Sequence, residues 1–187
     1  MRAHSKIALL IVLAAAVASA GDQPVTTVPQ LDVKRYMGVW HEIAAIPAWF
    51  QKDCAWGTTA TYTLRKDGNV DVLNSCRTAD GGVKNAAGIA WVVDQQTNAK
   101  LKVSFIPGKL KIAGGDYWVL DLGPDYEFAV VGDPTRAYGW VLARHPELPP
   151  ETLDGIWARL KAQGYDVAKF KKTAHTPCQA QGGSCTP

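Results

Sequence analysis

The sequence predicts an all-β protein, an eight-stranded up-and-down antiparallel barrel with one C-terminal α-helix packed outside it. Three observations lead there. Apolar and polar residues alternate with period two in several short runs, Gly, Pro, Asp and Asn separate the runs at short intervals, and a helical period appears after Pro149-Pro150. Ala60, Tyr62 and Leu64 alternate with Thr59, Thr61 and Thr63, and Lys66-Asp67-Gly68-Asn69 turns the chain into Val70 and Val72. Leu101, Val103 and Phe105 alternate with Lys100, Lys102 and Ser104. Tyr117 to Leu120 and Phe128 to Val131 are apolar on both faces, as strands covered by a helix should be. Strands are therefore expected at about 38–48, 57–66, 69–77, 83–94, 99–106, 116–122, 126–132 and 137–144. Short turns join neighbours, so up-and-down order is the simplest topology, with a flat sandwich as the alternative.

After Pro149-Pro150 the apolar residues Leu153, Ile156, Trp157 and Leu160 follow helical spacing, with Gly164 just past the end. The outer faces of the late strands are the expected partner of that stripe. Asp166 to Phe170 reads as a short returning strand, and the tail 173–187 as loose apart from any loop closed by cysteines.

The ends and the composition bound the function. Residues 1–20 combine Arg2 and Lys6 with an apolar run from Ile7 to Val17 and Ala18-Ser19-Ala20, the pattern of a signal peptide. That run falls short of the roughly twenty residues a membrane-spanning helix needs. Removing those 20 residues from 187 leaves 167, one domain's worth, expected as an extension over 21–30, a barrel domain over 31–172 and the tail. The basic count falls from 20 to 18 against 17 acids, which makes no case for nucleic acid. Lys109, Lys111, Lys169, Lys171 and Lys172 read as solvated edges, with anionic headgroup contact as the alternative.

Two short stretches far apart in sequence matter most. Gly38-Val39-Trp40 opens the first strand and Trp140-Val141-Leu142-Ala143-Arg144 forms the last. A guanidinium from Arg144 lying over the Trp40 indole would plug one end of the barrel and leave the other open. With Asp32 and Tyr36 before the first stretch, and Asp125-Tyr126 between two late strands, the chain resembles the lipocalins, and among them the bacterial outer-membrane lipocalins and apolipoprotein D. The resemblance runs from about Leu31 to Phe170. It departs in one motif, where the usual Thr-Asp-Tyr reads Pro124-Asp125-Tyr126. It implies a calyx that carries a hydrophobic small molecule, here expected to be a fatty acid or lysophospholipid, in lipid storage or transport for envelope maintenance, without cofactor or metal. Many bacterial lipocalins carry an acylated Cys directly after the signal sequence. Gly21 stands there, so the expectation is an exported periplasmic or secreted protein, peripheral to the outer membrane at most.

Strand parity names a lining. If Arg144 faces in, so do Leu142 and Trp140; on the hairpin Ala60, Tyr62, Leu64, Val70, Val72 and Asn74 share one face. The resemblance adds Phe105 and Tyr117, which with Tyr62, Asn74 and Trp140 fall on positions that look like pocket positions in apolipoprotein D. Tyr62, Val72, Asn74, Phe105, Tyr117, Trp140 and Leu142 are the expected ligand-binding residues, with Gly38, Trp40 and Arg144 as the structural floor. Each aromatic could instead be core packing, which is the reading preferred for Trp40. Asn74 would need a partner, since an unpaired amide in an apolar cavity costs on the order of 1–3 kcal/mol. Glu42 shares parity with Trp40 and would need one too, such as Tyr126 or water. Trp49 and Phe50, at the open end, could cap a ligand, touch a membrane or tuck beneath their loop; Leu110 and Ile112 form a comparable patch.

Four cysteines in an exported chain predict disulfides, with three connectivities open. A turn centred between Asp67 and Gly68 places Cys76 opposite Thr59 and leaves Cys54 five residues further on, near the same barrel end. The preferred pairing joins Cys54 to Cys76 and Cys178 to Cys185; the runner-up, as in apolipoprotein D, ties Cys54 to the tail. A rival function is an isomerase-like enzyme on the same barrel, with a free pocket thiolate at Cys54 or Cys76 as nucleophile. No Gly-x-Ser-x-Gly elbow is present, and His41, His145 and His175 have no acid at useful spacing. A homodimer formed through the barrel exterior is compatible with either reading.

Overall fold

The computed structural model describes residues 23–107, 111 and 113–182. The signal-peptide and Gly21 readings, the Leu110 and Ile112 patch and Cys185 lie outside them. Asp32 accepts hydrogen bonds from the backbone of Lys34 and Arg35 and so caps the short helix α1 (Val33–Tyr36). From there the chain enters β1 (Gly38–Ala45), β2 (Trp56–Leu64), β3 (Val70–Arg77), β4 (Val83–Val92), β5 (Lys100–Ser104), β6 (Gly115–Leu122), β7 (Phe128–Gly132) and β8 (Gly139–Ala143). Each pairs antiparallel with the next, and β1 pairs with both β8 and β2, so the sheet closes. A flat sandwich is excluded.

The closure is complete only at one end. β1 bonds to β2 through Gly38 to His41; above that the two strands part, and the C-terminal segment enters the gap. Its strand β9 (Lys171–Lys172) pairs with Ala44 and Ala45, Thr173 donates its N–H to Ile43, and Gly57 donates to Ala174. This corrects two expectations. The returning strand is residues 171–172 rather than 166–170, because Asp166 accepts from the backbone of Ala168 and holds Val167–Lys169 in a 3₁₀ turn. The tail is not loose at its start, because the splayed strands offer unpaired backbone groups that Thr173 and Ala174 satisfy.

The hairpin register is also corrected by one residue. Ala60 faces Asn74 and Tyr62 faces Val72, so the turn centres on Asp67, whose carboxylate accepts from Asn69 N–H. Cys76 therefore falls against a β-bulge between Trp56 and Thr59. The bulge swings the chain before β2 back over the barrel end, and Cys54 and Cys76 form a disulfide with Cα atoms 5.5 Å apart. The runner-up pairing of Cys54 with the tail is thereby overturned. Cys178 is also disulfide-bonded.

Helix α2 (Pro150–Ala162) starts at the proline and ends before Gly164, whose positive φ of 79° lets the chain reverse. Its Ile156 and Leu160 are buried against Phe128, Val130 and Val141, which is why every residue of β7 is buried on both faces. A second apolar cluster, including Trp40, Tyr62, Val72, Leu101 and Leu142, occupies the barrel interior.

Candidate functional site

The floor is a knot of the motif residues. The Arg144 guanidinium carbon lies 3.7 Å from the centroid of the Trp40 ring, and its N–H groups donate to the carbonyls of Tyr126, Val39 and Arg35 at 3.3, 3.0 and 2.9 Å. Trp40 is fully buried and donates its indole N–H to the Tyr36 carbonyl at 2.8 Å. Tyr126 takes the Arg35 guanidinium over its ring and accepts the Asp32 N–H on its hydroxyl. Gly38 is required twice over: its φ is +98°, and a Cβ there would sit 3.3 Å from the Arg144 Nη1. The Pro124 departure leaves this knot intact, since the turn is held by Asp125 N–H donating to Glu127.

Above the floor is a cavity of about 520 Å³, within the range that holds small ligands. All seven residues expected to face it do so, and the register assigns them depths. Tyr62 lies beside Gly38 at the closed end, with Val72 next to it, Tyr117 three strands further round beside Leu101, and Leu142 beside Glu42. Asn74 is a step higher, beside Ala60. Phe105, just past β5, and Trp140, near the start of β8, belong to the mouth. The amide of Asn74 bonds to no side chain or backbone group among the described residues, which fits an orientation into the cavity.

The mouth is ringed with apolar side chains. Trp49 and Phe50, on a 3₁₀ turn at Trp49–Gln51, are 77% and 41% exposed, and Phe105 and Ile106 are 40% and 39% exposed. Trp49 and Phe50 also line the cavity, and the disulfide ties their loop to β3.

Sequence reasoning missed two groups. Tyr36 was seen only as part of a motif, yet it reaches the cavity from α1 and bonds to the Tyr117 hydroxyl, as does Tyr62. Helical geometry on a four-residue turn gives no strand parity to read. Gln51 was missed altogether. It donates to Glu42 at 2.7 Å and accepts the Trp140 indole N–H at 3.3 Å. Thr173 donates to the other Glu42 oxygen at 2.6 Å. The partners of Glu42 are thus Gln51 and Thr173 and not Tyr126, because the loop and the inserted C-terminal segment cover β1 at that level.

Burial raises the Glu42 carboxyl above the ordinary range, and the two hydrogen bonds offset this only in part. The folded state therefore holds this proton more tightly than the unfolded chain, and the stability so contributed is full at low pH and is lost as pH rises through the folded-state value. Glu42→Gln removes that loss. Urea unfolding at a series of pH values should show the variant gaining on the wild type as pH rises above about 4.5; a gain that grows on acidification would refute the assignment.

A closed barrel, stoppered at one end and hollow to an apolar mouth at the other, defines a calyx-type binding protein. The chain belongs to the lipocalin-like domain family, whose model matches residues 31–175, and this family binds small hydrophobic ligands. It is similar to temperature-induced lipocalin-1 of Arabidopsis thaliana, 43% identical over 148 residues, which covers 76% of this chain and 78% of that one. The outer membrane lipoprotein Blc of Escherichia coli is 38% identical over 147 residues, covering 78% and 80%. Apolipoprotein D of Mus musculus is 36% identical over 156 residues, covering 79% and 78%. Among solved structures, insecticyanin of the tobacco hornworm Manduca sexta superposes with a TM-score of 0.66 at 21% identity, over 81% of this chain and 85% of that one. At that identity the likeness speaks for the fold alone. No helix of the described residues is long and apolar enough to cross a membrane.

Proposed function

We propose that this protein binds a fatty acid or lysophospholipid without covalent chemistry and carries it for lipid storage or envelope maintenance. The observation that carries the reading is the apolar cavity, closed at the Trp40–Arg144 floor and open at an aromatic rim. Tyr62, Val72, Asn74, Phe105, Tyr117, Trp140 and Leu142 are the proposed ligand contacts. Burying about 12 methylenes at about 0.8 kcal/mol each supplies about 10 kcal/mol gross, and association costs of about 4–15 kcal/mol bring this to reversible binding. A carrier needs that reversibility.

The exposed rim of Trp49, Phe50, Phe105 and Ile106 supports brief docking to a lipid surface during loading. The N-terminal pattern supports export to the periplasm or beyond. The enzyme reading loses its nucleophile, because Cys54 and Cys76 are bonded to each other.

Trp140→Ala tests the site. It removes a half-buried wall at the mouth and the indole that Gln51 accepts, so binding of a fluorescent fatty acid should weaken by about fivefold, or roughly 1 kcal/mol, with little change in melting temperature. Unchanged affinity would remove Trp140 from the site. Lipid extraction from protein purified out of its own envelope, followed by mass spectrometry, would identify the cargo.

A further inference from the structure

Three phenols from α1, β2 and β6 meet at the closed end of the cavity. The Tyr117 hydroxyl lies 2.8 Å from that of Tyr36 and 2.9 Å from that of Tyr62. Tyr36 and Tyr62 are almost fully buried, and all three line the cavity. Burial pushes Tyr62 up to about 12 and raises Tyr36 and Tyr117 as well, so all three stay protonated. Three hydroxyls carry three protons, and two contacts between them use two. Whichever way the hydroxyls rotate, one O–H donor remains over, and among the described residues the trio bonds only to itself. A buried donor without an acceptor is costly, and this one is in a pocket.

We propose that the Tyr36, Tyr62 and Tyr117 hydroxyls form a subsite for an uncharged carbonyl or carboxyl group at the end of a long apolar chain, which enters the barrel head first. This rests on the carrier reading above and narrows its ligand class. An anion does not suit the position. The cation that acts on this corner is Arg144, whose Nε, Nη1 and Nη2 each already donate to a backbone carbonyl on the floor and whose face is stacked on Trp40, so its position is fixed below the hydroxyls. A carboxylate here would give up its hydration without a guanidinium free to turn and pair with it. A lysophospholipid would have to enter tail first and set its terminal methyl against the hydroxyls. The subsite therefore favours a fatty acid in its protonated form, or a long-chain ketone, aldehyde or ester.

The test is a ligand-by-protein cycle with undecan-2-one and its isostere 2-methylundec-1-ene, in which CH₂ replaces the carbonyl oxygen. Both are supplied from cyclodextrin and read by displacement of a bound fluorescent probe. In the triple variant Tyr36→Phe, Tyr62→Phe, Tyr117→Phe, the ketone-to-alkene ratio of Kd should rise about tenfold. Because all the partners are replaced by apolar rings of like shape, no orphaned hydroxyl remains to destabilise the fold. Each single Phe variant keeps two hydroxyls and at least one free donor, so it should hold the ratio within about twofold of wild type. With a ¹³C-labelled carbonyl, the infrared stretch should sit at lower frequency in wild type and in the single variants than in the triple one. An unchanged ratio and stretch in the triple variant would overturn the subsite while leaving the carrier reading standing. Failure of both ligands to bind the wild type would instead overturn the carrier reading, and the subsite with it.

Discussion

Trp40→Ala should lower the stability of this protein by about 3–5 kcal/mol, the range for removing a large buried aromatic. For a domain of this size that corresponds to a fall in melting temperature on the order of 10–15 °C, read by calorimetry or circular dichroism. Three losses coincide. The indole is fully buried, so its removal leaves a void at the base of the barrel. The Tyr36 carbonyl loses its donor, and the Arg144 guanidinium loses the ring on which it stacks. Trp40→Phe keeps a ring and gives up the N–H, so it should cost roughly a third as much. Trp40 does not line the cavity, so residual affinity measured well below the new melting temperature should stay within a few fold of wild type. A Trp40→Ala protein with unaltered melting behaviour would show that the stopper does not hold the barrel shut.

Replacing both Cys54 and Cys76 by alanine should cost about 3 kcal/mol. The bridge closes a loop with a sequence separation of 22, and the chain-entropy relation gives about 3.4 kcal/mol for that length. The expected fall in melting temperature is about 10 °C. The effect on binding should be separate from the effect on stability, because the loop that ends at Cys54 carries Trp49, Phe50 and Gln51 over the mouth. Freed from β3, it should release a fluorescent fatty acid faster even at temperatures where the barrel is fully folded. Stopped-flow displacement reads that rate. An unchanged off-rate with a lowered melting temperature would mean that the loop does not retain ligand.

The contrast between these two elements explains what could be read from the chain. The floor was legible from two short stretches, Gly38-Val39-Trp40 at the start of the first strand and Trp140 to Arg144 at the last, because a guanidinium and an indole brought together there can stack. Tyr62, Val72, Asn74, Trp140 and Leu142 were legible from strand parity, since a register error of one in the β2–β3 turn does not disturb which residues of a single strand share a face; Phe105 and Tyr117 were legible only through the family resemblance. Helix α2 announced itself by its period and its Pro and Gly ends. What escaped lies where the chain leaves regular geometry. Gln51 sits on a 3₁₀ turn, Tyr36 on a four-residue helix and Thr173 beyond the last strand, and none of these has a repeat from which direction can be inferred.

Sequence alone therefore determined the barrel and the apolar face that lines it, because alternation along a strand is a local property and each strand carries its own copy of it, and it determined the stoppered end through the two short stretches that hold Trp40 and Arg144. Only the tertiary structure decided that β1 and β2 part above His41, that residues 171–174 fill the gap, that Glu42 is held by Gln51 and Thr173, and that three phenols share two hydrogen bonds. Those contacts join residues up to 131 apart in the chain, and their energies depend on where loops of irregular geometry come to rest, which no local pattern encodes.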